Sequence, residues 1–127
     1  EAENLKGKRI LVVDDSPEQR QLVQSLYTEI GCTVVGEAKD GLDALGKIEE
    51  HKPDVVSLDI IMPNMDGIEC YDKILKNSPG VKVLFMSCLA KNPEVREALA
   101  QKVNSSLLLP KPCEQEVLVK ALLDLYQ

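Results

Sequence analysis

Tryptophan is absent from this 127-residue chain, and phenylalanine and tyrosine together number four. Aliphatic side chains must therefore fill any core it builds. There is one histidine, His51, so no cluster of histidines is available to ligate a metal. His51 stands just before Lys52-Pro53, at an expected helix end, and reads as a surface residue. The four cysteines, Cys32, Cys70, Cys88 and Cys113, are far apart and make no C-x-x-C pair. They read as buried or half-buried free thiols of a reducing compartment, not as a disulfide framework or zinc site. No apolar run approaches the roughly 20 residues that cross a bilayer, and no signal-peptide pattern opens the chain. These absences point to the cytoplasm and away from a membrane. The chain starts on Glu1 instead of Met, as an excised or processed segment would. Positive charge is also in short supply: 15 Lys and Arg against 21 Asp and Glu leave a formal net charge of −6. That argues against direct nucleic-acid binding and leaves a neutral or basic protein partner open.

What is present is ordinary for a globular protein, with 44% apolar and 28% charged residues. The length suits one domain, assigned to residues 1–127 with a core of about 8–126. Strand and helix patterns alternate along it. The run RILVV (9–13) is a β-branched strand. Ser16 caps the helix that follows, Pro17 fits its first turn, and Leu22, Val23, Leu26, Tyr27 and Ile30 recur at helical spacing until Gly31 ends it. A short strand spans 33–35. Asp40 caps a second helix with Leu42, Leu45 and Ile48 on one face. The third strand covers 54–58, and Asp66-Gly67 opens a third helix carrying Ile68, Tyr71, Ile74 and Leu75. A fourth strand (81–86), a weakly patterned helix (93–102), a fifth strand (106–109) and a final helix (114–126) complete the chain. A strand followed by a helix, five times over, implies βαβ units and a parallel sheet covered on both faces. Near-continuous apolar runs such as ILVV and VKVLFM suit strands buried on both sides.

Ligands of such sheets bind beyond the carboxyl ends of the strands. Those ends are chemically marked here. The first strand runs into Asp14-Asp15, the third into Asp59, the fourth into Ser87, and the fifth into Pro110-Lys111-Pro112. Singly, each has a plain structural explanation as a turn, cap or solvated loop residue; jointly they make a site. Two like charges about 4 Å apart repel by roughly 4 kcal/mol at an effective dielectric near 20. Lys111 offsets part of the repulsion among three carboxylates, and a divalent cation offsets more. The donors are all oxygen, which favours Mg²⁺, with Mn²⁺ next, over zinc. Backbone carbonyls of the Ile60-Ile61-Met62 loop are available to complete the coordination. A cation, a lysine and a hydroxyl are also what a phosphoryl group needs. Asp59, central in the set, is the candidate nucleophile for an aspartyl-phosphate.

The segments ILVVDDS, GEAKDGLDAL, PDVVSLDIIMPNMDG, FMS and LPKP together resemble the receiver domain of two-component response regulators over essentially the whole chain. The resemblance implies a single doubly wound, flavodoxin-like (βα)5 domain with strand order 2-1-3-4-5. It implies that Asp59 accepts a phosphoryl group from a sensor histidine kinase or phosphotransfer protein. Asp14, Asp15, Asp59 and the backbone carbonyl of Ile61 would hold Mg²⁺. Lys111 would contact the phosphoryl group and Ser87 would move toward it. That movement would reshape the face made by the fourth helix, fifth strand and fifth helix, where a downstream protein target would bind, the protein acting as a monomer or as a dimer promoted by phosphorylation.

Several positions depart from the family pattern. Leu108 stands where an aromatic usually completes the switch, Asn104-Ser105 where Gly-Ala is common, and Cys113 where Phe follows Lys-Pro. Ile61 and Leu89 occupy two positions that influence the attacking water in this family, and both are bulky and apolar. Two other readings compete. A receiver that docks partners without phosphorylation fits Leu108. A phosphohydrolase resembling the haloacid-dehalogenase type would need an acid two residues after Asp59, where Ile61 stands.

Overall fold

The computed structural model describes residues 2–103, 107–111 and 113–126. Five strands, β1 (Arg9–Val13), β2 (Thr33–Ala38), β3 (Val55–Leu58), β4 (Lys82–Ser87) and β5 (Leu108–Pro110), alternate with five helices, α1 (Pro17–Glu29), α2 (Gly41–His51), α3 (Gly67–Asn77), α4 (Pro93–Ala100) and α5 (Gln115–Leu125). All strand pairs are parallel, and the order is β2-β1-β3-β4-β5. The flavodoxin-like order expected from the resemblance is the order found.

Alternate residues along each strand enter opposite layers. Leu11, Val13, Val56, Leu58, Val83 and Phe85 face α2, α3 and α4, where Ala44, Ile48, Ile74 and Leu99 meet them. Ile10, Val12, Val55, Leu84 and Met86 face α1 and α5, against Val23, Tyr27, Leu118 and Leu122. Burial on both sides is why these strands read as unbroken apolar runs.

The helix starts follow the expected chemistry. The Ser16 hydroxyl accepts from the Gln19 N–H, and the carboxylates of Asp40 and Asp66 accept from the Asp43 and Glu69 N–H groups. Asn92 does the same for α4, accepting from Glu94 and Val95. Expected and observed differ in places. Leu22, Leu42 and Leu75, assigned to inward faces by spacing, are 62%, 57% and 45% exposed. Val23, Ala44 and Cys70 are buried on those helices, so the spacing is right and the facing stripe is offset. Strand β2 runs three residues beyond the expected Val35, because its continuation through Ala38 pairs with Leu11 to Val13. Cys88 is exposed, unlike the other three thiols, because it begins the loop after β4. The Asn104-Ser105 departure, the expected strand start at Ser106, and Pro112 lie outside the described residues.

One glycine is set by contact with the site itself. A Cβ on Gly67 would lie 2.2 Å from the Asp59 carbonyl oxygen and 2.7 Å from Ile60 Cα. Its N–H donates to the Ile60 carbonyl at 2.6 Å, so the first residue of α3 presses directly on the chain leaving β3. Gly67→Ala should cost about 1–3 kcal/mol of stability in urea unfolding, the usual size of an overpacking penalty. Gly46→Ala, in an open helical position, should instead gain about 0.5–1 kcal/mol. Equal unfolding midpoints for Gly67→Ala and the parent would rule out this contact.

Candidate functional site

The strand order brings the marked ends together. Asp14 follows β1, and its N–H donates to the Ala38 carbonyl at 3.1 Å; Asp59 follows β3, and its N–H donates to the Val13 carbonyl at 3.1 Å. Both carboxylates thus emerge from continued ladders, at neighbouring positions of one edge. A carboxylate oxygen from each of Asp14, Asp15 and Asp59 lies within 4.8 Å of the other two. Asp14 and Asp59 are buried, at 2% and 6% exposure, and Asp15 is exposed.

Lys111 reaches this cluster from the end of β5. Its N–H donates to the Ser87 carbonyl at 3.2 Å, tying the residue after β5 to the last residue of β4. Its buried ammonium bonds closely to Asp14 Oδ2 and lies 3.3 Å from Asp59 Oδ2. Burial pulls the lysine's pKa down, but the Asp14 and Asp59 carboxylates outweigh it and hold the ammonium above its ordinary value. Burial pushes the Asp59 carboxyl above the usual carboxylate range, and Asp14 adds to the rise while Lys111 opposes it. The Ile60 N–H donates to Asp59 Oδ1 at 2.8 Å. Ser87 is fully buried, and its hydroxyl accepts from the Leu89 N–H at 3.1 Å; that leaves its proton free to be donated elsewhere. Ile61 is 56% exposed and Leu89 is half-buried.

Three carboxylates against one ammonium leave the cluster under-neutralised. Hard oxygen donors at this spacing fit a small divalent cation such as Mg²⁺ or Mn²⁺. An open concavity of about 580 Å³ lies elsewhere, lined by Asn4, Leu5, Lys8, Lys120 and Tyr126 among others. Its residues precede β1, belong to the last helix or directly follow it, and none of the clustered carboxylates borders it.

Residues not singled out from the sequence brace the site. Arg20 donates from Nη1 to the Asp14 carbonyl at 2.8 Å and from Nε to Glu37 Oε1 at 2.7 Å. The hydrogen bond from Arg20 holds the Glu37 carboxyl below its ordinary range. The available signal was a cation one turn into a helix that starts directly after the acidic pair. Asp40, expected only as a cap, has a second bond, accepted from the Asn64 side-chain amide at 2.9 Å.

The sequence model of one family, the response regulator receiver domain, matches residues 10–123. The chain is 37% identical to the chemotaxis protein CheY of Thermotoga maritima over 116 residues, covering 91% of this chain and 95% of that one. It is 34% identical to CheY of Listeria monocytogenes, covering 90% and 94%. Among solved structures, the receiver domain of the putative regulator NarL from Mycobacterium tuberculosis superposes with a TM-score of 0.79 at 34% identity, covering 94% and 95%. A CheX–CheY complex with BeF3 and Mg from Borrelia burgdorferi superposes with a TM-score of 0.82 at 26% identity, covering 100% and 95%.

The raised pKa of Asp59 carries a sign. A carboxyl that titrates higher in the folded state binds more protons there, so stability falls as pH rises from the unfolded value, near 3.9, through the folded one. Asp59→Asn removes that loss. In metal-free buffer it should be more stable than the parent at pH 7, and the advantage should vanish on acidification below the unfolded value. Urea midpoints at the two pH extremes test this; equal midpoints at pH 7 would mean that Lys111 fully compensates Asp59.

Proposed function

The chain belongs to the response regulator receiver domain family, and we propose that it is a phosphoacceptor switch in which Asp59 carries the phosphoryl group. Receiver domains are signalling modules, not turnover enzymes. The observation that carries this reading is the convergence of three carboxylates within 4.8 Å of one another, two of which, Asp14 and Asp59, meet the ammonium of Lys111.

In this reading a carboxylate oxygen of Asp59 attacks the phosphorus of a phosphohistidine on a sensor kinase or phosphotransfer protein. The new O–P bond replaces the P–N bond, and the imidazole nitrogen leaves with the electron pair. Asp14, Asp15, Asp59 and the Ile61 carbonyl would hold Mg²⁺, which would neutralise the negative charge that otherwise keeps an anionic nucleophile and an anionic phosphoryl group apart. Lys111 already lies beside Asp59 Oδ2, and it supplies one positive charge to the phosphoryl oxygens. The Ser87 hydroxyl donates to a phosphoryl oxygen while still accepting from Leu89. Ser87 ends β4, so its displacement moves the loop that leads to α4 and alters the α4–β5–α5 face offered to a protein target. We take the whole chain as this one domain, acting in the cytoplasm; no described helix is long and apolar enough to cross a membrane.

Intact mass after incubation with acetyl phosphate tests the chemistry. One phosphoryl adduct should form with Mg²⁺, fail to form in EDTA, and be absent in Asp59→Asn. No adduct under any condition would favour the docking receiver that Leu108 suggests. Ile61 and Leu89, two residues after Asp59 and Ser87 respectively, shield the acyl phosphate from water in this reading. Phosphorylated Ile61→Asn, Leu89→Glu protein should therefore decay faster than the parent; a decay no faster would remove the shielding role.

A further inference from the structure

The oxygens assigned to the cation are held unequally. Asp14 and Asp59 follow strands whose hydrogen bonding continues through them. Ile61 belongs to no strand and lies in the loop between β3 and α3, so the place of its carbonyl depends on how that loop is held.

The loop is gripped from the side of α2. Asn64 has a left-handed backbone, with φ 69°, and its side-chain amide donates to Asp40 Oδ2 at 2.9 Å. Asp40 is 5% exposed, and its other oxygen, Oδ1, accepts from the Asp43 N–H at 2.8 Å to cap α2. Each oxygen of one carboxylate thus has its own task. The two segments are also tightly packed there: a Cβ on Gly41 would lie 2.9 Å from both the Cβ and the carbonyl oxygen of Met65. Capping needs only one acceptor oxygen, so it does not account for Oδ2. A positive φ alone would be served best by glycine, so it does not account for the Asn64 amide.

We infer that Asp40 and Asn64 form a clamp that positions the Ile61 carbonyl for the cation, an inference resting on the function proposed above. Both are positioning residues: they act through the loop backbone and do not touch the reacting group.

Two variants cut the clamp from opposite ends. Asn64→Gly removes the amide and suits the positive φ. Asp40→Asn retains a good helix cap but has one acceptor oxygen where two are used. Mg²⁺ binding to the unphosphorylated protein is read by titrating backbone amide NMR shifts, with melting in EDTA as the fold control. Each variant should weaken Mg²⁺ about tenfold, the lower end of what partners behind metal ligands contribute. The double variant should be no weaker than either single one, because both remove the same bond. Asn64→Gly should melt like the parent in EDTA. Parental Mg²⁺ affinity in both single variants, or additive losses in the double, would overturn the clamp and leave the phosphoacceptor reading standing. A fall in Asn64→Gly melting that matches its loss of affinity would reduce the bond to a structural tie and also overturn it. A parent protein that takes up no Mg²⁺ would overturn the proposed function, and the clamp with it.

Discussion

Like charges held close together are the constraint around which this molecule is organised. Carboxylates drift apart unless something stronger holds them. Here the holding is done by β1 and β3, whose parallel pairing delivers Asp14 and Asp59 to adjacent positions whatever their mutual repulsion. The sheet can do this because both of its faces are buried in aliphatic layers. Hydrophobic burial over the whole domain stabilises an arrangement that is locally unfavourable. Lys111 offsets part of the repulsion and, through its backbone bond to Ser87, brings β5 into the same balance.

Much of this was legible from residue order alone, for a physical reason. A strand buried on both faces must be apolar until it leaves the sheet, so the first acidic residue after such a run marks the edge. Asp14 and Asp59 were visible in that way, and the caps at Ser16, Asp40 and Asp66 from local chemistry. Strand order was not in the periodicity; it came with the family resemblance. The second bond of Asp40 and the bracing by Arg20 join residues 24 and 17 positions apart in the chain. No local pattern encodes such pairs. The facing of Leu22, Leu42 and Leu75 was misjudged because a helical stripe has width, and its edge is settled by the neighbouring element.

One departure, Leu108, lies on the side of the sheet that faces α4. Leu108 is buried and pairs with Phe85 across β4 and β5. Phe85 is met edge-on by Tyr71 of α3, with ring centroids 5.3 Å apart and planes at 65°. Aromatic mass therefore sits on β4 and α3 and is missing from β5. A leucine has no hydroxyl to exchange hydrogen bonds between an inner and an outer rotamer. Leu99 and Val95 of α4 pack in the same layer as Leu108.

Cys88 has a practical consequence. It is exposed, while Cys32 and Cys70 are buried and Cys113 is half-buried, and it is covalently joined to Ser87. Burial also raises the pKa values of those three thiols, that of Cys70 to about 11, which suppresses the reactive thiolate. The native chain therefore carries its own attachment point for a thiol-directed reporter, one residue from the Ser87 hydroxyl. With no tryptophan to contribute background emission, a fluorophore there would register the β4–α4 loop against tyrosine emission alone.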